Sequence, residues 1–424
     1  MEKGQAEKFV FDLLRLMIGK KASDMFITAG FPPAMKIDGK MTPVSAQVLT
    51  AQQSREIARS IMNDKQASEF DATSECNFAI GLPGVARFRV SAFIQRGSVG
   101  MVFRTIATKI PKFEDLGLPE VLKEIAMTKR GLVIFVGGTG SGKSTSLAAM
   151  VGYRNENSYG HIITIEDPVE FVHEHKNCVI TQREVGVDTD SWHIALKNTL
   201  RQAPDVILIG EVRDAETMEH AIAFAETGHL CLSTLHANSA SQTIERIIGF
   251  FPEERRAQLL MDLSANLRAI ISQRLVRTPD GKGRKAAIEI LLNTPIVTEK
   301  IFKGEFYELK SIMEKSREVG MRTFDWALFE LYNDGLIDYD EAIRNSDSAN
   351  ELRLNIKLKS RRGEPTQGQQ AGLTLMDLGP SPEETELLRK QELARQDASR
   401  AELEELQRKK AEMQREKGEN PEGM

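Results

Sequence analysis

This sequence of 424 residues has few cysteines, few aromatic side chains and no long apolar run. Its three cysteines, Cys76, Cys178 and Cys231, stand far apart and form no Cys-x-x-Cys pair, which excludes a zinc ribbon and indicates a reducing compartment. No apolar stretch is long enough to cross a bilayer as a helix. We therefore expect a cytoplasmic chain that can still dock on a membrane-bound partner.

An excess of basic charge is also missing. The net charge is −5 and aromatic residues make up only 6% of the chain. Proteins that bind nucleic acid usually present basic surface, and those that hold single strands stack the bases on aromatic rings. This balance disfavours a nucleic-acid translocase, although a local basic groove stays compatible with the composition.

The first residues, "MEKGQAEKFVFDLLRLMIGKK", resemble a targeting segment only superficially. Glu2, Glu7 and Asp12 interrupt the stretch, and no small-residue cleavage site follows. Its apolar positions recur at helical spacing. We expect an amphipathic helix that packs on a domain.

The length exceeds that of one typical core and predicts two or three domains. Apolar strands with turns at Asp38-Gly39 and Gly97 predict a small α+β domain over residues 1–104. Pro111 and Pro119 predict a linker at 105–118, before a larger domain at 119–358. Residues 359–424 read as a polar linker and a charged tail, either a solvated helix or disordered, and this interpretation is favoured over partner binding.

The larger domain contains four short apolar strands, "GLVIFVGG", "HIITIEDP", "DVILIGE" and "HLCLSTLH", which alternate with helical segments. This alternation predicts a parallel sheet covered by helices on both faces, and hence an α/β fold. Residues 255–358 are predicted to be mainly helical because Leu and Ile recur there every three or four residues.

The segment "GGTGSGKS" matches the phosphate-loop pattern in full, between an apolar strand and a helix. Its backbone N–H groups are expected to surround the β-phosphate of ATP, while Lys143 reaches the β- and γ-phosphates and Ser144 offers its hydroxyl to Mg²⁺. The candidate nucleotide-binding residues are Gly137, Gly138, Thr139, Gly140, Ser141, Gly142, Lys143, Ser144 and Thr145.

Hydrolysis of the γ-phosphate needs one acid to order Mg²⁺ and another to orient water. Two strands end in acids: Glu166 and Asp167 on one, with Glu170 beyond, and Glu211 on the other. Acids at such positions also cap helices, but two acidic strand ends beside a phosphate loop favour catalysis.

Histidines bracket the last strand of the pattern. His236 follows its carboxyl end, where a γ-phosphate is expected, and His229 precedes its amino end, roughly 20 Å away if the strand is extended. The two rings therefore cannot share a metal ion, and a capping or interface role is the stronger interpretation of His229. His173 and His175 lack a third ligand of suitable spacing and are expected to be solvated.

Together, the phosphate loop, "TIEDPVEF", "LIGEVRDAETMEHA" and "GHLCLSTLHANSA" resemble the Walker A, Asp-box, Walker B and His-box motifs of bacterial secretion ATPases. The likeness covers about residues 1–355 and is strongest to the PilT/PilU family of type IV pilus retraction motors. It implies a PAS-like N-terminal domain, a RecA-like ATPase domain and a hexameric ring with the nucleotide between the two domains.

The resemblance also implies site residues. Glu170 would be the catalytic glutamate, Glu211 the Walker B acid that holds Mg²⁺ directly or through water, and the His box would place His236 and His229 in the catalytic set. "ARFRV" and "VFRTI" match segments that supply arginines to the γ-phosphate, which makes Arg89 and Arg104 candidates.

The arginine assignment has competitors. Either Arg89 or Arg104 alone is about as well explained by a surface ion pair on the sheet. Arg87 and Arg96 lie on the same hairpin and compete for the role.

Two departures from the PilT pattern resemble PilU. The segment after Thr294-Pro295 reads "IVTEKIFKGE", and the chain then continues far beyond the usual end, through "DSANELRLNIKL". The resemblance implies an ATP- and Mg²⁺-dependent motor for pilus retraction and twitching motility that acts with a PilT-like ATPase on an inner-membrane platform protein. The alternatives are a pilus assembly or type II secretion ATPase, a nucleic-acid translocase and a non-hydrolysing scaffold.

Overall fold

The structure is a computed structural model that describes residues 2–37, 39–82, 86–106 and 110–362. These lie within one compact unit, Met1–Glu364. The predicted polar linker and charged tail fall almost wholly outside the described residues, as do Asp38 of the predicted turn and 107–109 of the predicted linker.

The N-terminal part forms a six-stranded antiparallel sheet in the order β3-β2-β1-β6-β5-β4. Its strands are β1 Asp24–Thr28, β2 Ala34–Ile37, β3 Lys40–Pro43, β4 Glu75–Leu82, β5 Ala86–Gln95 and β6 Ser98–Ile106. Its helices are α1 Lys3–Gly19, α2 Ala51–Ile61 and α3 Asp64–Thr73. The predicted amphipathic helix is confirmed as α1, since Val10, Leu14 and Met17 are fully buried in the core beneath it.

The second sheet has seven strands in the order β13-β12-β7-β11-β10-β8-β9. Five of them are β7 Gly131–Val136, β8 Gly160–Glu166, β9 Cys178–Glu184, β10 Val206–Ile209 and β11 Leu230–Leu235. The four predicted strands are confirmed and are parallel to one another. Strand β9 was not predicted, because it lies at the sheet edge and only every other residue near its start is buried.

The prediction of a mainly helical segment over 255–358 is wrong for residues 267–292. Residues Leu267–Arg277 form β12, parallel to β7, and Arg284–Leu292 form β13, antiparallel to β12. Leu and Ile at short spacing fit a buried strand as well as a helix, and the Asp280-Gly281 turn joins the two strands.

Helices cover both faces of this sheet. Alternate residues of β7 point to opposite sides, so Leu132, Ile134 and Val136 pack in one core and Val133 and Phe135 in another. The helices are α4 Val121–Ala126, α5 Lys143–Asn157, α6 Trp192–Thr199, α7 Ala215–Glu226, α8 Ala240–Gly249, α9 Arg256–Asn266, α10 Pro295–Lys303, α11 Leu309–Lys315, α12 Phe324–Asn333, α13 Tyr339–Asn345 and α14 Ala349–Lys359. Within the described ranges, none of the helices has the length and apolarity that a bilayer crossing needs.

We expect two C-terminal deletions, one that keeps Arg362 and one that removes it, to differ in their effect on stability. Arg362 lies past the end of α14, and its Nη1 donates to the carbonyl of Tyr332 at 2.8 Å while its guanidinium lies over the Tyr332 ring. We expect removal of 363–424 to leave the melting temperature and basal hydrolysis unchanged. Removal of 361–424 should lower the melting temperature by about 2 °C, as loss of such a bond costs about 1 kcal/mol. Differential scanning calorimetry checks both, and a large effect of the shorter deletion would show that the tail packs on the core.

Candidate functional site

The phosphate loop connects β7 to α5 at the carboxyl edge of the sheet. Gly137 has a φ of 147°, and a Cβ there would lie 2.4 Å from the carbonyl oxygen of Gln273. Gly142 has a φ of 88°, and a Cβ there would lie 2.7 Å from the side-chain amide nitrogen of Gln273. Glycine is therefore required at both positions by the backbone conformation and by the neighbouring strand.

Gln273 supports this loop and was not predicted. It is buried on β12, where its Nε2 donates to the Ser141 carbonyl at 2.9 Å and its Oε1 accepts from the Ser146 hydroxyl at 2.8 Å. One side chain thus joins the loop to the first turn of α5. Pairing of β12 with β7 places it there, and no local motif in the sequence signals it.

Lys143 opens helix α5. Its ammonium donates to the carbonyls of Gly137 at 2.7 Å and Gly138 at 3.1 Å. Burial lowers the pKa of Lys143, and the negative charge of Glu211 opposes that shift. The lysine is therefore held inside the loop, within the field of the acid that follows β10.

Glu211 is fixed by two neighbours. Arg213 donates to its Oε2 from Nε at 2.8 Å, and Nη2 of the same arginine lies 2.7 Å from that oxygen. On the other side, Nε2 of His236 lies 3.2 Å from Oε1 of Glu211. The structure therefore places His236 against the predicted magnesium ligand, a contact that the sequence could not specify.

The acids after β8 have different surroundings. Oε1 of Glu166 accepts from the Thr164 hydroxyl at 2.7 Å and from the Gln182 amide at 3.2 Å, and burial raises the pKa of Glu166. Glu170 is exposed on the loop beyond and lines a cavity together with Ser144 and Glu166. Glu170 is thus an exposed residue at this cavity, whereas the Glu166 carboxylate is engaged by two neighbours.

The prediction that His173 is solvated is wrong. His173 is partly buried and lines the same cavity as Glu170, and burial lowers its pKa to about 4. The side chain is neutral at physiological pH and contributes no positive charge to a phosphate site. His175 is exposed, in agreement with the prediction, and its Nδ1 accepts from the backbone N–H of Ile180 at 3.0 Å.

Arg89 and Arg104 stand directly opposite each other on β5 and β6. Their neighbours Phe88, Val90 and Phe103 are buried in the N-terminal core, so both arginines lie on the other face of the sheet. Like charges in this register repel unless an anion lies between them. Asp24 relieves part of that charge, since its Oδ1 accepts from Arg104 Nε at 2.8 Å.

The two competing arginines lie at opposite ends of the hairpin. Arg96 is in the turn, with a φ of 48°. Arg87 lies on the same face as Arg89 and its Nη2 reaches Oε2 of Glu184, the last residue of β9, at 3.3 Å. The same oxygen accepts from the backbone N–H of Val169 at 3.2 Å. Arg87 therefore links the N-terminal sheet to the loop that carries Glu170.

The register of β11 against β7 separates the two histidines. Leu235 pairs with Val136 beside the phosphate loop, and Leu230 pairs with Gly131 at the other end. His236 therefore lies at the phosphate edge of the sheet. His229 lies at the amino edge, where its Nδ1 is 3.1 Å from the Thr227 hydroxyl and 3.2 Å from the Phe224 carbonyl.

Residues 1–324 match the family of type II/IV secretion system proteins. The chain belongs to this family. Membership and the complete phosphate loop together identify this member as an ATPase, and the predicted α/β fold with a P-loop ATPase domain and a smaller N-terminal domain is confirmed.

Two relatives and one solved structure resemble this chain over most of its length. The chain is 63% identical over 348 residues to the type IV pilus ATPase PilU of Pseudomonas aeruginosa, which covers 82% of this chain and 91% of that protein. It is 44% identical over 333 residues to the type IV pilus retraction ATPase PilT of the same organism. This match covers 78% of this chain and 96% of that protein. The crystal structure of the pilus retraction motor PilT with bound ADP matches with a TM-score of 0.75 at 40% identity, over 81% of this chain and 98% of that one. The predicted resemblance to the PilT/PilU family is confirmed.

The two histidines of this secretion-family ATPase should respond differently to substitution. His236→Ala removes the contact with Glu211 at the phosphate edge, so we expect turnover to fall roughly tenfold to a hundredfold, which corresponds to about 1.4–2.7 kcal/mol of transition-state stabilisation. Nucleotide affinity should change little. His229→Ala should instead change the melting temperature or subunit association. Steady-state hydrolysis, nucleotide titration and scanning calorimetry separate these effects, and the reverse pattern would contradict the assignment.

Proposed function

We propose that this chain is a PilU-like ATPase that hydrolyses Mg²⁺-ATP to assist retraction of type IV pili. The observation that carries the proposal is the arrangement around one cavity, which is lined by Ser144 of the phosphate loop, by Glu170 on the loop after β8 and by Gly210, the residue before Glu211. The relatives named PilU and PilT supply the process in which such an ATPase acts.

Mg²⁺ fits the residues at this edge. It prefers hard oxygen ligands, and the Ser144 hydroxyl with the Glu211 carboxylate offers that donor type. Ser144 would bind the ion, and Glu211 would hold it directly or through water. Bound Mg²⁺ would neutralise charge on the β- and γ-phosphates.

Each residue of the proposed site then has a distinct role. The loop N–H groups and Lys143 bind the phosphates, with the ammonium turning from the Gly137 and Gly138 carbonyls to the nucleotide. Glu170 orients the water for attack on the γ-phosphate. His236, in contact with Glu211, senses whether that phosphate is present and passes the change to α8, which begins at Ala240.

The arginines of the N-terminal sheet extend the proposal to the assembly. Arg89 and Arg104 form a positive pair on an accessible face, which suits an anionic group such as a γ-phosphate. We infer a homo-hexameric ring in which these arginines act on nucleotide held between the N-terminal and ATPase domains. Arg87 is engaged with Glu184 in the same chain and is better suited to positioning the Glu170 loop.

The proposed partners are a PilT-like retraction ATPase and the platform protein of the inner membrane, with the ring on the cytoplasmic side. The test measures pilus retraction in cells that lack this chain, the PilT-like ATPase or both, complemented with wild type or Lys143→Ala. We expect wild type to restore retraction only where the PilT-like ATPase is present, and the variant to fail. Normal pilus retraction under load in cells that lack this chain would contradict the assignment.

Hydrolysis by the purified protein, with and without DNA, addresses the other function classes. We expect turnover that DNA does not stimulate. Strong stimulation by DNA would favour a nucleic-acid translocase, and absence of turnover would favour a scaffold that only binds ATP.

A further inference from the structure

Three potential metal ligands meet between α6 and α7, and none of them lines the cavity beside the phosphate loop. They are His193 near the start of α6 and Glu216 and His220 on α7. Glu216 and His220 are four residues apart and therefore share one face of the helix. One ligand atom from each of the three lies within 4.8 Å of the other two.

We propose that His193, Glu216 and His220 form a binding site for a divalent transition-metal ion of the zinc class. Two imidazoles and one carboxylate are a ligand set that zinc accepts, with water in the fourth position. Ligands about 2.0–2.2 Å from a tetrahedral ion stand roughly 3.3 Å apart, so only small side-chain movements are needed. His193 and Glu216 have room for them, because their side chains are 54% and 53% exposed.

The simpler explanation is a surface ion pair, since His193 Nδ1 already contacts a Glu216 carboxylate oxygen. That explanation gives His220 no part. His220 is nevertheless turned toward the same point and held by packing, with its ring centroid 6.0 Å from that of Phe224.

The position of the site gives a bound ion a structural effect. Helix α6 leads through the turn Leu200–Gln202 toward β10, and α7 begins after the loop that follows β10, with Asp214 as its N-cap. An ion held by both helices therefore ties together the elements on either side of the strand that ends before Glu211. We expect it to raise the melting temperature of the chain.

Tryptophan fluorescence offers a direct readout. The sequence has two tryptophans, of which Trp192 adjoins His193 and Trp326 stacks on Phe329 in α12. Tag-free, nucleotide-free full-length protein is titrated with Co²⁺ or Ni²⁺, which quench a neighbouring indole, and then with Zn²⁺ as competitor. We expect saturable quenching with one ion per chain, unchanged in Trp326→Phe.

The variants decide the assignment. His193→Ala and His220→Ala should each weaken binding at least about tenfold, and Glu216→Gln should also weaken it. His175→Ala, which removes another exposed histidine, should bind as wild type does. Calorimetric titration with Zn²⁺ and the metal-dependent melting temperature provide independent measurements.

Two results would overturn the proposal: no quenching at excess metal, or wild-type affinity in His220→Ala. Hydrolysis of Mg²⁺-ATP without added transition metal should be normal in His220→Ala, so failure of this proposal does not depend on the proposed motor function.

Discussion

Lys143→Ala should reduce ATP hydrolysis at least about a hundredfold, because it removes the positive charge that faces the β- and γ-phosphates during transfer. The fold should survive the change. The Lys143 ammonium donates to the carbonyls of Gly137 and Gly138, and Gln273 supports the loop independently of it. Steady-state phosphate release measures the activity, and circular dichroism with thermal melting measures the fold.

Lys129→Ala is the matched control. Lys129 is an exposed lysine just before β7, at the edge of the sheet opposite the phosphate loop, so the same loss of charge there should leave turnover unchanged. Wild-type turnover by Lys143→Ala would contradict the assignment of the phosphate loop as the catalytic nucleotide site. Equal losses in both variants would point to a general effect of charge.

Glu170→Gln should bind Mg²⁺-ATP and cleave it roughly a hundredfold more slowly. The amide keeps the size of the side chain but loses the carboxylate to which we assign the orientation and deprotonation of water. Glu170 is suited to this role because it is exposed to the cavity it shares with Ser144, whereas Glu166 is already bonded to Thr164 and Gln182. Single-turnover hydrolysis and nucleotide titration distinguish slow cleavage from weak binding.

Glu174→Gln controls for this change. Glu174 is exposed on the same loop, four residues further along, so its substitution should leave single-turnover cleavage at the wild-type rate. Glu211→Gln should instead raise the Mg²⁺ concentration needed for hydrolysis. Near-normal cleavage by Glu170→Gln would transfer the water-orienting role to Glu211 or Glu166.

The strands of the second sheet show where sequence reasoning succeeds and where it stops. Strands β7, β8, β10 and β11 were predictable, because each is a short apolar run followed by a glycine, an acid or a histidine at its end. Strands β12 and β13 were mistaken for helix, because their apolar spacing fits both structures and only pairing with β7 decides between them. His173 was misjudged for a similar reason, since burial by distant elements leaves no local signal.

The sequence by itself determined the phosphate loop, the acids and histidines at the strand ends, the α/β class and the family. These features are contiguous segments in which backbone geometry and chemistry depend on neighbouring residues. Only the tertiary structure decided that Gln273 supports the loop, that Arg87 joins Glu184 beneath the Glu170 loop and that His236 touches Glu211. It also decided that His193 meets Glu216 and His220. The contacts of Gln273 and Arg87 join residues that are far apart in the chain. Strand register and helix packing determine these contacts and those of His236 and His193, because burial of the shared core fixes both the register and the packing.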